Sequence, residues 1–174
     1  KFFCETINRP PLNEPSQQLD ESSKQEAKER ASLSLSAMNM LAMREHSRFE
    51  LEQKLGKKSE DNALIAQVLN RLENDNLLDD QRFAQMFIRS KANSGFGPYK
   101  IKQELQAKGV GKTLIAEALV ELDIDWFKNA TELYLKRVAR VTDIDMKEKH
   151  KQSRYLQSRG FSGEIARDVV GELY

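Results

Sequence analysis

The sequence predicts an all-α fold, built from three tandem three-helix repeats that form an elongated, curved array of right- or left-handed twist behind a flexible N-terminal tail. Charged residues make up 32% of the 174 residues, with only 8 glycines and 4 prolines, a composition that favours long helices over a many-stranded sheet. Apolar residues recur at helical spacing from about Ser22 onward. This pattern itself repeats about every fifty residues, which is typical of stacked helical modules.

The N-terminal segment differs from the rest of the chain. Residues 1–20 hold three prolines among polar residues and lack helical periodicity, so we expect residues 1–21 to form a flexible tail. We place the three repeats at residues 22–78, 79–122 and 123–174. A single repeat has too few apolar residues to offset the entropy of ordering its chain, so we expect the repeats to stack.

The repeat is visible in the second helix of each unit. FELEQKL at 49–55 aligns with YKIKQEL at 99–105 without a gap, and at an offset of 51 Lys108 and Gly109 align with Arg159 and Gly160. An apolar cluster at i, i+3 and i+4 precedes each of these stretches and predicts one face of a leading helix. These clusters are Ala37/Met40/Leu41, Phe83/Met86/Phe87 and Ala130/Leu133/Tyr134.

Capping residues support the predicted helix starts. Ser47 is followed three residues later by Glu50, as in a capping box, and Gly97-Pro98 supplies a permissive cap with proline at the first helical position. Asp79 and Asp123 are candidate caps for the leading helices of the second and third repeats.

The stretch KGVGKT at 108–113 resembles the end of a phosphate-binding P-loop. That loop requires a further glycine at position 106, where this chain has Gln106, and a preceding strand, which the sequence does not predict. The alignment with Arg159-Gly160-Phe161 favours a helix-to-helix turn instead. Gly109 then ends one helix in a left-handed conformation, Val110 packs back on it, and Thr113 is a candidate cap for the next.

Catalytic, metal and cofactor sites are not predicted. His46 and His150 have no partner at ligand spacing and are interpreted as solvated or capping residues, and the Asp79-Asp80 and Asp123/Asp125 pairs as helix caps. Trp126 and the methionines at 38, 40 and 43 are interpreted as core or packing residues. One cysteine and no apolar run of membrane-spanning length lead us to expect a cytoplasmic protein without membrane contact.

Charge is segregated along the chain. Residues 81–120 carry seven basic side chains against two acidic ones, whereas residues 37–80 carry six against nine. A basic middle unit suggests an anionic partner. From charge and position alone, we predict that the contacts are Arg44, Arg48, Arg82, Arg89, Lys91, Tyr99, Lys100, Lys102, Lys108 and Lys112.

Several segments together resemble the RecX family, which regulates the RecA recombinase. They are LAMREHSRFELEQKL at 41–55, LLDDQRFAQMFI at 77–88, GFGPYKIKQELQAKG at 95–109, DIDW at 123–126 and YLQSRGF at 155–161. The resemblance covers residues 35–174 and leaves out the tail. It implies three three-helix repeats and a non-enzymatic protein that binds RecA filaments on single-stranded DNA; separately, we expect a monomer with only weak, electrostatic binding to single-stranded DNA. It also implies inhibition of RecA's ATPase, strand-exchange and co-protease activities, and thus a role in recombination, DNA repair and the SOS response.

Two other functions remain open at this point. Short helices joined by a glycine-containing turn also resemble a helix-turn-helix, so the protein could act on DNA directly. Against this, the helix predicted after Gly111 has few side chains suited to reading bases. The third possibility is a scaffold that recognises some other acidic protein.

Overall fold

The computed structural model describes residues 15–139 and 145–172 of the chain. All regular structure within these residues is α-helical, which confirms the predicted fold class. In chain order the helices are α1 (Pro15–Met43), α2 (Arg48–Leu55), α3 (Asn62–Asn74), α4 (Asp80–Asn93), α5 (Pro98–Ala107), α6 (Lys112–Glu121), α7 (Trp126–Val138), α8 (Met146–Ser158) and α9 (Gly163–Glu172).

The helices pack in three consecutive groups of three, and each group has its own apolar core. The most extensive helix–helix contacts join helices of the same group. Positions aligned by the repeat occupy the same place in each core: Leu55, Leu105 and Leu156 are all fully buried. Trp126 packs against both the second and the third core, which confirms a packing role between units.

Helix α1 is longer than the sequence pattern indicates. It begins at Pro15, within the predicted tail, and residues 1–14 of that tail lie outside the described residues. Residues 15–21 contain no β-branched residue, and Pro15 stands at the first helical position, where proline is well tolerated. Apolar periodicity begins only at about Ser22, so it did not reveal these first residues of the helix.

The turn at KGVGKT ends one helix and starts another. Gly109 has φ +80°, its amide donates to the Gln106 carbonyl, and the Val110 amide donates to the Leu105 carbonyl at 3.1 Å. These bonds satisfy the last carbonyls of α5, as in a Schellman ending, and Val110 is buried. The predicted helix-to-helix turn is therefore confirmed.

The same ending recurs one repeat later. Gly160 has φ +95°, and the Phe161 amide donates to the Leu156 carbonyl at 3.2 Å. The capping prediction for Thr113 is wrong, because α6 already begins at Lys112 with Gly111 in the cap position.

The other predicted caps are confirmed with two exceptions. Asp80 is the first residue of α4 rather than its cap, and its carboxylate accepts from the Arg48 amide. The Ser47 hydroxyl accepts from the Glu50 amide, Asp79 caps α4, and Gly97 precedes the proline that starts α5. Asp123 is not a cap. It lies in the turn after α6 with φ +41°, and Asp125 caps α7 by accepting from the Lys128 amide at 2.9 Å.

Candidate interaction surface

The first and second units meet where the end of α5 touches the start of α2, and we call this contact region the first joint. The Ser47 hydroxyl donates to the Lys108 carbonyl at 2.7 Å, and the Lys108 ammonium donates to the Glu50 carboxylate. Gly109 lies against the Phe49 side chain, so closely that an added Cβ would stand 2.4 Å from the Phe49 Cβ. Glycine is thus required at this turn for two reasons: it adopts the left-handed backbone conformation, and it lets the two units approach closely.

A second set of contacts links the first unit to the start of α4. The Arg48 amide donates to the Asp80 carboxylate at 2.8 Å, and the Arg82 guanidinium donates to the Glu45 carboxylate at 3.1 Å. Burial raises the pKa of Asp80, although the Arg48 amide favours its charged form. Together with the Lys108–Glu50 pair, these hydrogen bonds show that the first joint is held largely by contacts to charged side chains.

The second and third units meet through the aligned residues. The Gly97 amide donates to the Arg159 carbonyl at 2.9 Å, and the Tyr99 amide donates to the Gly160 carbonyl at 3.1 Å. An added Cβ on Gly97 would lie 2.3 Å from the Gly160 carbonyl carbon. The hydrogen bonds named here join backbone to backbone, whereas those of the first joint involve side chains. In both joints, the turn after one unit's second helix docks on the start of the preceding unit's second helix.

Half of the predicted contact residues form ion pairs within the chain. Their partners are carboxylates: Arg44 with Glu50, Arg48 with Glu73, Arg82 with Glu45, Lys91 with Glu104 and Lys108 with Glu50. These cations stabilise a unit or a joint, and much of their charge is neutralised locally. The charge count of residues 81–120 includes three of them, Arg82, Lys91 and Lys108, because such a count takes no account of ion pairs formed on folding.

The other five predicted contact residues are four cations and one tyrosine, which could contact a partner. In the part of the chain that the structure describes, no carboxylate lies within 4.0 Å of Arg89, Lys100, Lys102 or Lys112. Tyr99 is 59% exposed at the start of α5, next to Lys100. The exposed side of the second unit therefore combines unpaired cations with an accessible aromatic ring.

Sequence reasoning missed a further feature, which we call the cation–aromatic band. Lys91, Lys100 and Arg159 surround the Phe96 ring, each 4.9–5.4 Å from its centroid. The band continues on either side, with Lys108 over Phe87 and with Arg137 and Arg159 over Tyr155. Cations over aromatic faces are attracted by the ring quadrupole. The band crosses from the second unit to the third, and no local sequence signal joins Phe96 to Arg159.

Two groups near the first joint have shifted pKa values. Burial opposes the charge of Glu50, but hydrogen bonds from Lys108 and Arg44 hold the pKa of its carboxyl below the usual value. Burial lowers the pKa of His46. This histidine is buried, contrary to its prediction as a solvated or capping residue, and its Nε2 lies 2.8 Å from the Lys54 ammonium of α2.

The described residues contain neither a cluster of metal-ligand side chains nor a membrane-spanning helix. Among residues 15–139 and 145–172, no three His, Cys, Asp or Glu side chains come together as metal ligands. No helix in these ranges combines the length and apolar character needed to cross a bilayer. The core prediction for the methionines holds for Met40, which packs on the first core, but is wrong for Met38 and Met43, which are 48% and 85% exposed.

These features define a class of protein: a tandem three-helix repeat protein whose exposed chemistry is charge and aromatic surface. Family models assign each unit. The first, second and third three-helix domains of RecX match residues 35–72, 79–119 and 123–170. The chain belongs to the RecX family.

Individual relatives agree with this assignment. The Regulatory protein RecX of Halorhodospira halophila is 38% identical over 75% of this chain and 81% of its own length. That of Pseudomonas savastanoi is 36% identical over 79% and 86%. The crystal structure of RecX from Lactobacillus salivarius has a TM-score of 0.75 and 26% identity, and covers 84% of this chain and 97% of that one.

Proposed function

We propose that this chain binds RecA filaments on single-stranded DNA and inhibits RecA's ATPase, strand-exchange and co-protease activities. Membership of the RecX family is the observation that carries this proposal. Its relatives are named regulatory proteins, which supports action by binding rather than by catalysis. We further propose that the protein works in the cytoplasm as a monomer without a cofactor, with units at residues 22–78, 79–122 and 123–174.

The exposed side of the second unit is the proposed contact surface. Four of its cations, Arg89, Lys100, Lys102 and Lys112, have no ion pair among the described residues and can meet phosphates or acidic side chains without first breaking one. Tyr99 adds a large ring of the kind enriched at protein interfaces. Among the ion-paired residues, Arg82 and Lys108 link the second unit to the first, whereas Arg44, Arg48 and Lys91 pair within one unit.

The electrostatic part of this proposal has a measurable size. Each neutralised phosphate of single-stranded DNA lowers the slope of log K against log salt by about 0.7. If four unpaired cations met phosphates, the slope would be roughly −2.8. Binding to bare DNA is therefore expected to be weak and salt-sensitive, with protein contacts supplying the remaining affinity for the filament.

The direct test is RecA's DNA-dependent ATP hydrolysis with increasing amounts of this protein. Substoichiometric amounts should slow hydrolysis, and the double reversal Lys100→Glu/Lys102→Glu should weaken inhibition without unfolding the chain. The matched control Lys128→Glu/Lys147→Glu reverses two exposed lysines of the third unit. Wild-type protein without effect at saturation would refute the function. Equal inhibition by both double variants would refute only the proposed surface.

Direct action on DNA as a helix-turn-helix-like protein is less well supported. The third helix of the second unit, α6, exposes Glu117, Val120 and Glu121, and Glu121 accepts a hydrogen bond from Gln85. Carboxylates are repelled by phosphates, and none of these side chains reads the edge of a purine well. Tight, sequence-specific binding to naked duplex DNA would favour this alternative over the filament proposal.

A further inference from the structure

An open pocket of about 600 Å³ lies between α1 and α2 in the first unit, apart from the cation–aromatic band. Three cationic side chains line it, Arg44, Lys54 and Lys58. No carboxylate is among its lining residues, and Ser36 and Asn39 add a hydroxyl and an amide. The pocket thus offers several hydrogen-bond donors around one cavity with an excess of positive charge.

Both lysines are held by neutral acceptors. The Lys58 ammonium donates to the Ser36 hydroxyl at 2.8 Å, and the Lys54 ammonium lies 2.8 Å from His46 Nε2. His46 Nδ1 lies 3.0 Å from the Arg44 carbonyl, which can only accept, so Nδ1 carries the proton and Nε2 is the acceptor. A neutral imidazole therefore positions Lys54 without cancelling its charge.

This arrangement differs from that of Lys91 and Lys108 in the second unit. Lys91 and Lys108 each meet a carboxylate, whereas no described carboxylate lies within 4.0 Å of Lys54 or Lys58. The third cation of the pocket, Arg44, shares the single carboxylate of Glu50 with Lys108. Two ammonium groups fixed at one cavity without a counter-charge favour an anion from outside the chain.

We propose that this pocket binds a phosphate group. A phosphate has several acceptor oxygens in a compact anion, which suits two ammonium groups with a guanidinium, a hydroxyl and an amide nearby. The group can belong to a free phosphate or nucleotide, or to the backbone of a single-stranded oligonucleotide. This inference is independent of the proposed function, because the pocket lies in the first unit and its test requires no RecA.

The two histidines of the chain provide the test and its internal control. His46 contacts Lys54 in the pocket, whereas His150 is exposed on α8 in the third unit. Imidazole resonances can be followed by NMR while inorganic phosphate, and separately a short oligothymidylate, is added to the whole chain at constant ionic strength. Saturable shifts of the His46 resonances with either probe, without comparable shifts of His150, are expected. If neither probe shifts His46 saturably, the proposal is overturned.

Variants localise the site and distinguish the two sources. Lys54→Met/Lys58→Met should weaken binding at least about tenfold, as expected from lost hydrogen bonds to a charged group. The control Lys128→Met/Lys147→Met removes the same charge from the third unit and should bind like wild type. Because Lys54→Met also removes the contact with His46, Lys58→Met alone should be measured by calorimetry and should also weaken binding. Equal affinity of the wild type, the pocket variants and the control would overturn the proposal.

The two probes distinguish the source of the phosphate group. Saturation by phosphate alone would indicate a free anion, and tighter binding of the oligonucleotide would indicate a nucleic-acid backbone.

Discussion

Replacing Gly97 by alanine tests the joint between the second and third units. Gly97 has φ −86°, so alanine fits its backbone, and the perturbation is the new methyl group. That methyl would lie 2.3 Å from the Gly160 carbonyl and 2.4 Å from the Phe161 amide nitrogen. Both neighbours are backbone atoms on a folded turn, so the two units must move apart to admit it.

The cost can be worked from the bonds that the movement breaks. Two backbone hydrogen bonds cross this joint, from the Gly97 amide to the Arg159 carbonyl and from the Tyr99 amide to the Gly160 carbonyl. At about 0.5–1.5 kcal/mol net for each bond, their loss amounts to about 1–3 kcal/mol. Because these hydrogen bonds couple the second unit to the third, their loss should also make unfolding of the whole chain less cooperative.

The matched control is Gly111→Ala. Gly111 is also the cap residue of a helix, with φ −65°, but a Cβ there meets nothing within 4 Å. Both variants share the loss of a glycine cap, so the difference in unfolding free energy between them isolates the joint. Urea denaturation gives that difference, and amide hydrogen exchange at Tyr99 reports the joint directly. Exchange should accelerate in Gly97→Ala and stay unchanged in Gly111→Ala.

Equal stability of the two variants, together with wild-type protection of the Tyr99 amide in both, would refute this reasoning. It would mean that the close approach of Gly97 to Gly160 does not hold the units together. If the joint opens as expected, inhibition of RecA by Gly97→Ala offers a second readout. A filament-binding surface that spans two units should bind less well when their relative orientation is lost.

Three further predictions concern the first joint and its surroundings. Gly109→Ala should destabilise the fold by more than the ~1–2 kcal/mol of its left-handed backbone, because the methyl also meets Phe49, and similar denaturation midpoints for variant and wild type would contradict this. Glu50→Gln removes the ion pair with Lys108, so stability in urea should depend less on salt than in wild type; an unchanged salt dependence would argue against a charge-based joint. The lowered pKa of His46 means that its stabilising contribution is complete above the unfolded value of 6.5 and lost as pH falls below it. His46→Gln should therefore flatten the acid side of the stability profile, measured by urea denaturation, and an identical profile would refute this.

Local sequence patterns were sufficient for many features of this fold. Spacing at i, i+3 and i+4 identified buried positions such as Ala37 and Phe83, although Met86 of the second cluster is exposed. The fifty-residue period identified equivalent positions such as Leu105 and Leu156. The same alignment predicted that Gly109 and Gly160 end helices, and both residues have positive φ in the structure. These features follow from short-range geometry and burial, which the order of residues encodes directly.

The partners of the charged residues could not be predicted in this way. Arg82 and Glu45 are 37 residues apart, and Lys108 and Glu50 are 58 apart, yet each pair meets in the first joint. A count of charges therefore overestimated the basic surface of the second unit. The first residues of helix α1 were also missed, because apolar periodicity begins only at about Ser22.

The sequence by itself determined the class of this protein, its three repeated units and the residues that begin and end most of its helices. These properties depend on side-chain spacing within a helix and on the backbone freedom of particular residues, above all glycine. Only the tertiary structure decided how the units meet, which cations remain unpaired, and that Phe96 and Arg159 belong to one band. The physical reason is that charge, hydrogen bonding and close approach act through space, between residues that folding alone brings together.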